Sequence, residues 1–236
     1  MTTKAGQFLV IAAVVLTGSV GIAADSPPAI AVKAAGVPAE VEAKKINIVC
    51  DGSSCVQGSN HPGFDWPKQL GDLLGAGYHI VNLGVNGQPT TAMIADYKSQ
   101  VAPLYNGNHA GNVYIAWEIY NNLWGNGHNV NEAMSRWWEL CDMAKATGYT
   151  VITTTLPPRA NLPPELTEAC NAIMRANWRE HADAIADIAI LPEMADCTNE
   201  TYRDPDHIHW TAAGNTVIAA KMREVLQALL GRTGGC

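Results

Sequence analysis

Two overlapping acid–histidine pairs share one short segment, Arg203-Asp204-Pro205-Asp206-His207-Ile208-His209-Trp210: Asp204 with His207, and Asp206 with His209. An acid three residues before a histidine can reach the imidazole, fix its tautomer and support its charged form. A histidine held in this way is a base for a hydroxyl nucleophile. Ser54 offers that hydroxyl. It sits in Asp51-Gly52-Ser53-Ser54, after an apolar run, at a glycine turn that opens a helix. That position exposes the hydroxyl and sets backbone N–H groups beside it. Gly87 and Asn121 supply the other half of such a site. A glycine lets the main chain approach a ligand closely, and an asparagine amide donates hydrogen bonds. Each residue alone has a plainer reading: a capping serine, a turn glycine, a loop asparagine, a surface histidine. Together they make a nucleophile, a base, an orienting acid and donors for an oxyanion, the parts needed for acyl transfer without metal or cofactor. Asp204, Asp206, His207 and His209 also have the donor types of a metal site, although clustered acids and histidines before a helix suffice for a triad.

The elements that must position these groups alternate along the chain. Short apolar runs occur at Ile46–Cys50, His79–Leu83, Asn112–Trp117, Thr150–Thr154 and Ala184–Ile190. Their length and β-branched content predict strands buried on both faces. Helices are predicted at Phe64–Leu74, Thr90–Ser99, Val130–Thr147, Pro164–His181 and Thr211–Leu230, with Gly148 and Gly231 as stops. Val217, Ile218, Val225 and Leu229 place an apolar stripe on the last helix. This alternation predicts an α/β fold, a five-stranded parallel sheet between two helical layers. Ligands of such sheets bind beyond the carboxyl ends of the strands. Ser54, Gly87 and Asn121 follow the first three strands, and Asp206 and His209 precede the last helix.

Read as blocks, these segments resemble the SGNH/GDSL hydrolase family. IVCDGSSCVQG is similar to its first block, with Ser54 as nucleophile and Gly58 closing the turn; NLGVNGQPT is similar to the second, with Gly87 at the oxyanion position. YIAWEIYNNLW resembles the third with Asn121 as the oxyanion asparagine, and DHIHWTAAG the last with Asp206, His209 and Gly214. The resemblance covers about residues 45–230, and the last block is its most specific part. It implies a flavodoxin-like three-layer α/β/α fold and a serine esterase. Catalysis would use Ser54, Asp206 and His209, with Ser54, Gly87 and Asn121 as oxyanion donors and no cofactor. The chain departs from the pattern at Ser53, Ile119 and Asn122, where the family has Asp, Gly and Asp. These departures leave open a catalytically weak or inactive descendant that binds carbohydrate or surfaces. Spacing inside the two Asp-x-x-His pairs is identical, but the family histidine stands five residues before its glycine, as His209 stands before Gly214. A two-residue shift moves a side chain by about 6–7 Å, too far to keep one hydrogen bond to Ser54.

The wider sequence sets the context. The chain has 236 residues with 47% hydrophobic and 16% charged content, which excludes disorder as its main state. A net charge of −7 with scattered lysines and arginines argues against nucleic acid as a partner. Residues 1–24 read as an export signal, Lys4 followed by an apolar stretch from Phe8 to Ala24, with an uncleaved anchor as the alternative. Residues 25–44 read as a linker, 45–231 as the hydrolase domain and 232–236 as a tail. The expected location is secreted or periplasmic, without stable membrane insertion once the signal is removed. Export permits disulfides, and six cysteines allow up to three bridges in 15 connectivities, although Cys50 reads as a buried small hydrophobe. Seven tryptophans accompany only two phenylalanines. Trp124 and Trp210 flank the site loops and can stack on a sugar ring, whereas Trp137 and Trp138 read as helix packing. The absence of a long apolar insertion favours short-acyl or carbohydrate esters over long-chain lipids.

Overall fold

A computed structural model describes residues 44–233. The expected export signal, all but the last residue of the expected linker, and Cys236 lie outside the described residues. The strands are β1 (Ile46–Gly52), β2 (Tyr78–Asn82), β3 (Gly111–Trp117), β4 (Thr150–Thr154) and β5 (Ala184–Ala186). All pair in parallel, in the order β2-β1-β3-β4-β5. That is the flavodoxin-like order of a doubly wound sheet. Between the strands lie α1 (Ser54–Gln57), α2 (Trp66–Leu74), α3 (Thr90–Gln100), α4 (Tyr120–Gly125), α5 (Val130–Thr147), α6 (Pro164–His181) and α7 (Ala212–Thr233). Helix α2 packs against α7, and both α3 and α6 pack against α5. The result is the expected three-layer α/β/α architecture.

The core follows from the apolar runs. In β1 and β3 every residue after the first is buried, so both faces are covered, as continuous hydrophobic strands require. Helix α5 begins where the Asn129 side chain accepts from Glu132 N, and ends at Gly148, whose φ of 108° terminates the helix. Helix α2 begins at Asp65, which caps Lys68 N at 2.9 Å. Phe64 therefore lies outside it.

Three expectations need correction, and the cysteines, whose bridging the sequence leaves open, follow them. Strand β2 is half-exposed along its length, because it is an edge strand with a neighbour on one side only. Strand β5 stops at Ala186 rather than Ile190. There Asp187 turns to bind Thr155 Oγ1 and Arg175, and Ile188 N bonds back to Ala186 O. Gly231 does not stop the last helix, which continues to Thr233. No two of the described cysteines are bridged: Cys50, Cys55, Cys141, Cys170 and Cys197 are all free, the first four buried. A core of this size needs no such staples.

Candidate active site

Parallel pairing brings the carboxyl ends of β1, β3 and β4 to one edge of the sheet. At the end of β1 the main chains press together. A Cβ on Gly52 would meet Trp117 O at 2.2 Å, so glycine is required there. The next residues form the short α1. Ser53 precedes it in extended geometry, Ser54 is its first residue, and Gly58 ends it at φ 74°. Early N–H groups of such a turn lack acceptors inside the helix and point outward.

His209 reaches this turn from a tight loop. Arg203 and Trp210 pair as an antiparallel bridge, and Asp204 N donates to His209 O at 3.0 Å. At the tip, His207 adopts φ 56°. This geometry puts Asp206 and His209 on one side and turns His207 away, its Nδ1 3.2 Å from Cys197 O. Ser54 Oγ lies 2.9 Å from His209 Nε2, and His209 Nδ1 lies 2.7 Å from Asp206 Oδ2. An ionised carboxylate only accepts, so Nδ1 carries the proton and Nε2 is free to accept from Ser54. Asp206 Oδ1 accepts from Ile208 N at 2.8 Å and His209 N at 2.9 Å. Burial pushes the Asp206 pKa up, but these N–H groups and the His209 ring outweigh it and hold it below the usual carboxylate range. Helix α7 anchors the loop. Thr211 Oγ1 accepts from Gly214 N at 3.1 Å, an N-cap as expected, and a Cβ on Gly214 would meet Tyr202 O at 2.2 Å.

Gly87 and Asn121 line a second part of the site, a cleft of about 540 Å³ shared with Asn122 and Trp124. Gly87 has φ 73° and nothing within 4 Å of a Cβ position, so left-handed backbone rather than crowding by the protein demands glycine there. Asn121 N donates to Glu118 Oε1 at 2.7 Å, and its Nδ2 lies 3.3 Å from Gln88 O. Asn122 instead turns inward, and its Nδ2 makes no hydrogen bond among the described residues. Trp124 is 63% exposed, its ring tilted 6.1 Å from His128. Trp210 corrects the paired expectation. It is buried, stacked on Trp117 at 5.7 Å, with the Arg203 guanidinium 3.5 Å from its ring centre. It packs under the site and cannot offer its face to a sugar. Trp137 and Trp138 are packing residues, as expected. A larger groove of about 870 Å³, lined in part by Trp138 and His181, contains none of the expected site residues.

Sequence reasoning missed four contributors. Asn60 Nδ2 donates to Asp206 Oδ2 at 3.2 Å and to Asp204 Oδ2 at 2.7 Å, clamping two carboxylates side by side. His61 Nε2 lies 2.7 Å from Asp204 Oδ1, so Asp204 pairs with a histidine 143 residues away rather than with its neighbour His207. Arg203, buried, joins the loop to the end of β4 by bonding Ile208 O and Pro158 O. Glu118 is buried at the end of β3. Burial raises its pKa from 4.5 to about 7, against the lowering by the N–H of Ile119, the Ser53 side chain and the N–H groups of Asn122 and Asn121. The Ser53 hydroxyl itself completes no well-formed hydrogen bond. Glu118 lies inside the third block, Arg203 opens the acid–histidine segment and the Asn60-His61 dipeptide follows the first block, but nothing local pairs Asn60 or His61 with residue 204.

No family profile matches the chain, and no curated protein sequence matches it. Solved structures do. A lipolytic protein of the G-D-S-L family from Veillonella parvula DSM 2008 superposes with a TM-score of 0.64 at 17% identity, covering 77% of this chain and 98% of its own. The acetyl xylan esterase AlAXEase gives 0.62 at 14% identity, with 75% and 98% covered. Est24, a carbohydrate acetylesterase from Sinorhizobium meliloti, gives 0.56 at 18% identity, with 78% and 100% covered. Nearly the whole length of each is matched, and the chain has their fold: a three-layer α/β/α domain on a five-stranded parallel sheet.

Proposed function

We propose that the chain is an SGNH/GDSL-type carboxylic ester hydrolase. One observation carries the reading: Ser54 Oγ, His209 and Asp206 form a continuous hydrogen-bonded line with contacts of 2.9 and 2.7 Å. His209 Nε2 takes the Ser54 proton as Oγ attacks the ester carbonyl. Asp206 holds the Nδ1–H and stabilises the imidazolium that forms. The Ser54 and Gly87 N–H groups and the Asn121 amide receive the oxyanion. The imidazolium then protonates the leaving alcohol, and water attacks the acyl-enzyme with His209 as base again. No step requires a cofactor.

Short-acyl or carbohydrate esters are the proposed substrates. The exposed Trp124 face beside Asn121 supports this, because an indole face stacks on a sugar ring. Two fold relatives are an acetyl xylan esterase and a carbohydrate acetylesterase. Export to a secreted or periplasmic location is proposed from residues 1–24 alone. No helix among the described residues is long and apolar enough to cross a membrane. The test is labelling with a serine-directed phosphonate, with mass mapping, alongside hydrolysis of acetylated sugars and p-nitrophenyl esters of increasing length. Modification at Ser54 with acetyl-ester turnover is the expected result. An unlabelled, inactive but folded protein would favour a binding module that keeps this fold.

A further inference from the structure

Glu118 anchors the Asn121 side of the site. Its side chain is fully buried where β3 passes into α4. Oε1 accepts the backbone N–H of Asn121 at 2.7 Å and of Asn122 at 3.1 Å. Oε2 lies 3.4 Å from Asn121 Nδ2, whose other contact is Gln88 O, next to Gly87. One buried carboxyl thus grips Asn121 through both its main chain and its side chain. It does so without an ion-pair partner among the described residues, an arrangement that burial alone disfavours. The next residue, Ile119, holds φ 123°, a left-handed value that a β-branched side chain rarely adopts. Such strain persists where surrounding contacts over-determine the backbone, and the Glu118 bonds to the first turn of α4 are those contacts. A simple cap for a six-residue helix needs neither a buried acid nor a strained isoleucine.

We propose that Glu118 is a positioning residue for the ester hydrolysis proposed above: it holds one Nδ2–H of Asn121, so that the other, which rests on Gln88 O at 3.3 Å beside Gly87, passes to the developing oxyanion. The inference rests on that reading. Glutamine at 118 keeps an acceptor for the two backbone N–H groups but sets an NH₂ against Asn121 Nδ2, donor facing donor. The loss therefore falls on an interaction made in the transition state, and kcat drops while KM holds.

A double-mutant cycle with p-nitrophenyl acetate at pH 8, above the Glu118 pKa of about 7 so that both its oxygens accept, tests it, using wild type, Glu118→Gln, Asn121→Ala and the pair. We expect Glu118→Gln to lower kcat about tenfold with KM unchanged within about twofold. In the Asn121→Ala background the same substitution should change kcat less than about twofold, because the group it acts through is gone. An equal loss in both backgrounds, or no loss in either, overturns the proposal. Should Glu118→Gln not fold, Glu118→Asp enters the same cycle; it withdraws the carboxylate by one methylene and carries the same expectation. Ser54→Ala is measured alongside. If it keeps wild-type turnover, the hydrolase reading fails and takes this proposal with it. If it is inactive while the cycle is additive, only the role of Glu118 is lost.

Discussion

Asp206 and Glu118 are both carboxyl groups that serve the candidate site, and their surroundings push them in opposite directions. Asp206 lies in an exposed loop, its side chain 38% accessible. It accepts two backbone N–H groups and faces an imidazole, and it stays ionised well into acid. Glu118 also accepts backbone N–H groups, but it is sealed from solvent, and its pKa rises to about 7. Hydrogen bonds to N–H groups do not by themselves keep an acid charged, since both acids accept them; the depth of burial decides. Around Ser54, His209 and Asp206 the catalytic side chains all have partners. Around Asn121, the buried polar atoms Ser53 Oγ, Gln88 Oε1, Thr90 Oγ1 and Asn122 Nδ2 make no hydrogen bond among the described residues. Buried polar atoms without a hydrogen bond among the described residues occur behind the triad loop too, at Arg203 Nε and Trp210 Nε1, but not on the triad itself.

The sharpest way to break this comparison is to remove the triad. Ser54→Ala and His209→Ala should each lower kcat by about 10⁴-fold or more for a short-chain ester, on folded protein. His207→Ala should keep most activity, since its ring faces Cys197 O. If His207→Ala proves the damaging change, the loop is misread. Asp204→Ala should act on stability rather than chemistry, because it takes the acid partner from His61 and the nearer of two acceptors from Asn60. A loss of about 1–3 kcal/mol by denaturant unfolding is expected, with activity at saturating substrate largely kept.

On the other side, Asn121→Ala should cost about 10²–10³ in kcat, and Asn122→Ala far less. The reverse ranking would shift the oxyanion donor by one residue. Asn60→Ala should lower kcat only about 2–10-fold, the worth of one hydrogen bond to Asp206, with KM unaffected.

The smallest effect sharpens the electrostatic contrast. The folded-state pKa of Glu118 is raised from 4.5 to about 7, so its protonated form favours folding. Its contribution is full below pH 4.5 and is lost as pH rises through about 7. Asp206, held below its ordinary 3.8, contributes above that pH and loses its contribution as pH falls further. Thermal unfolding from pH 4 to 8 should show wild type losing stability relative to Glu118→Gln as pH rises through this interval. Parallel curves would mean that Glu118 is not a buried acid.

Much of this was readable without coordinates. Helices α5 and α6 and strand β4 fall where apolar periodicity and glycine punctuation put them, because those signals are local. The composition of the second strand predicts burial on both faces, yet it sits at the edge. Its Ile80 and Val81 have the composition of a central strand, and only pairing order tells the two apart. Trp210 and Trp124 look alike in sequence, both in site loops, and packing separates them. Trp210 lies between Trp117 and Arg203, while the one ring contact of Trp124 among the described residues is with His128.

The sequence by itself determined the alternation of strands and helices, and with it the edge of the sheet where Ser54, Gly87 and Asn121 must stand. It also determined the i, i+3 spacing that lets Asp206 reach His209, since that contact spans three residues of one loop. Only the tertiary structure decided the rest. It chose between two pairs of identical spacing by a positive φ at His207. It gave Asp204 to His61 across 143 residues, and it sealed Glu118 beneath Asn121. The reason is range: propensity and periodicity act over a few residues, whereas burial and long-range hydrogen bonds exist only once the sheet has brought distant segments to one edge.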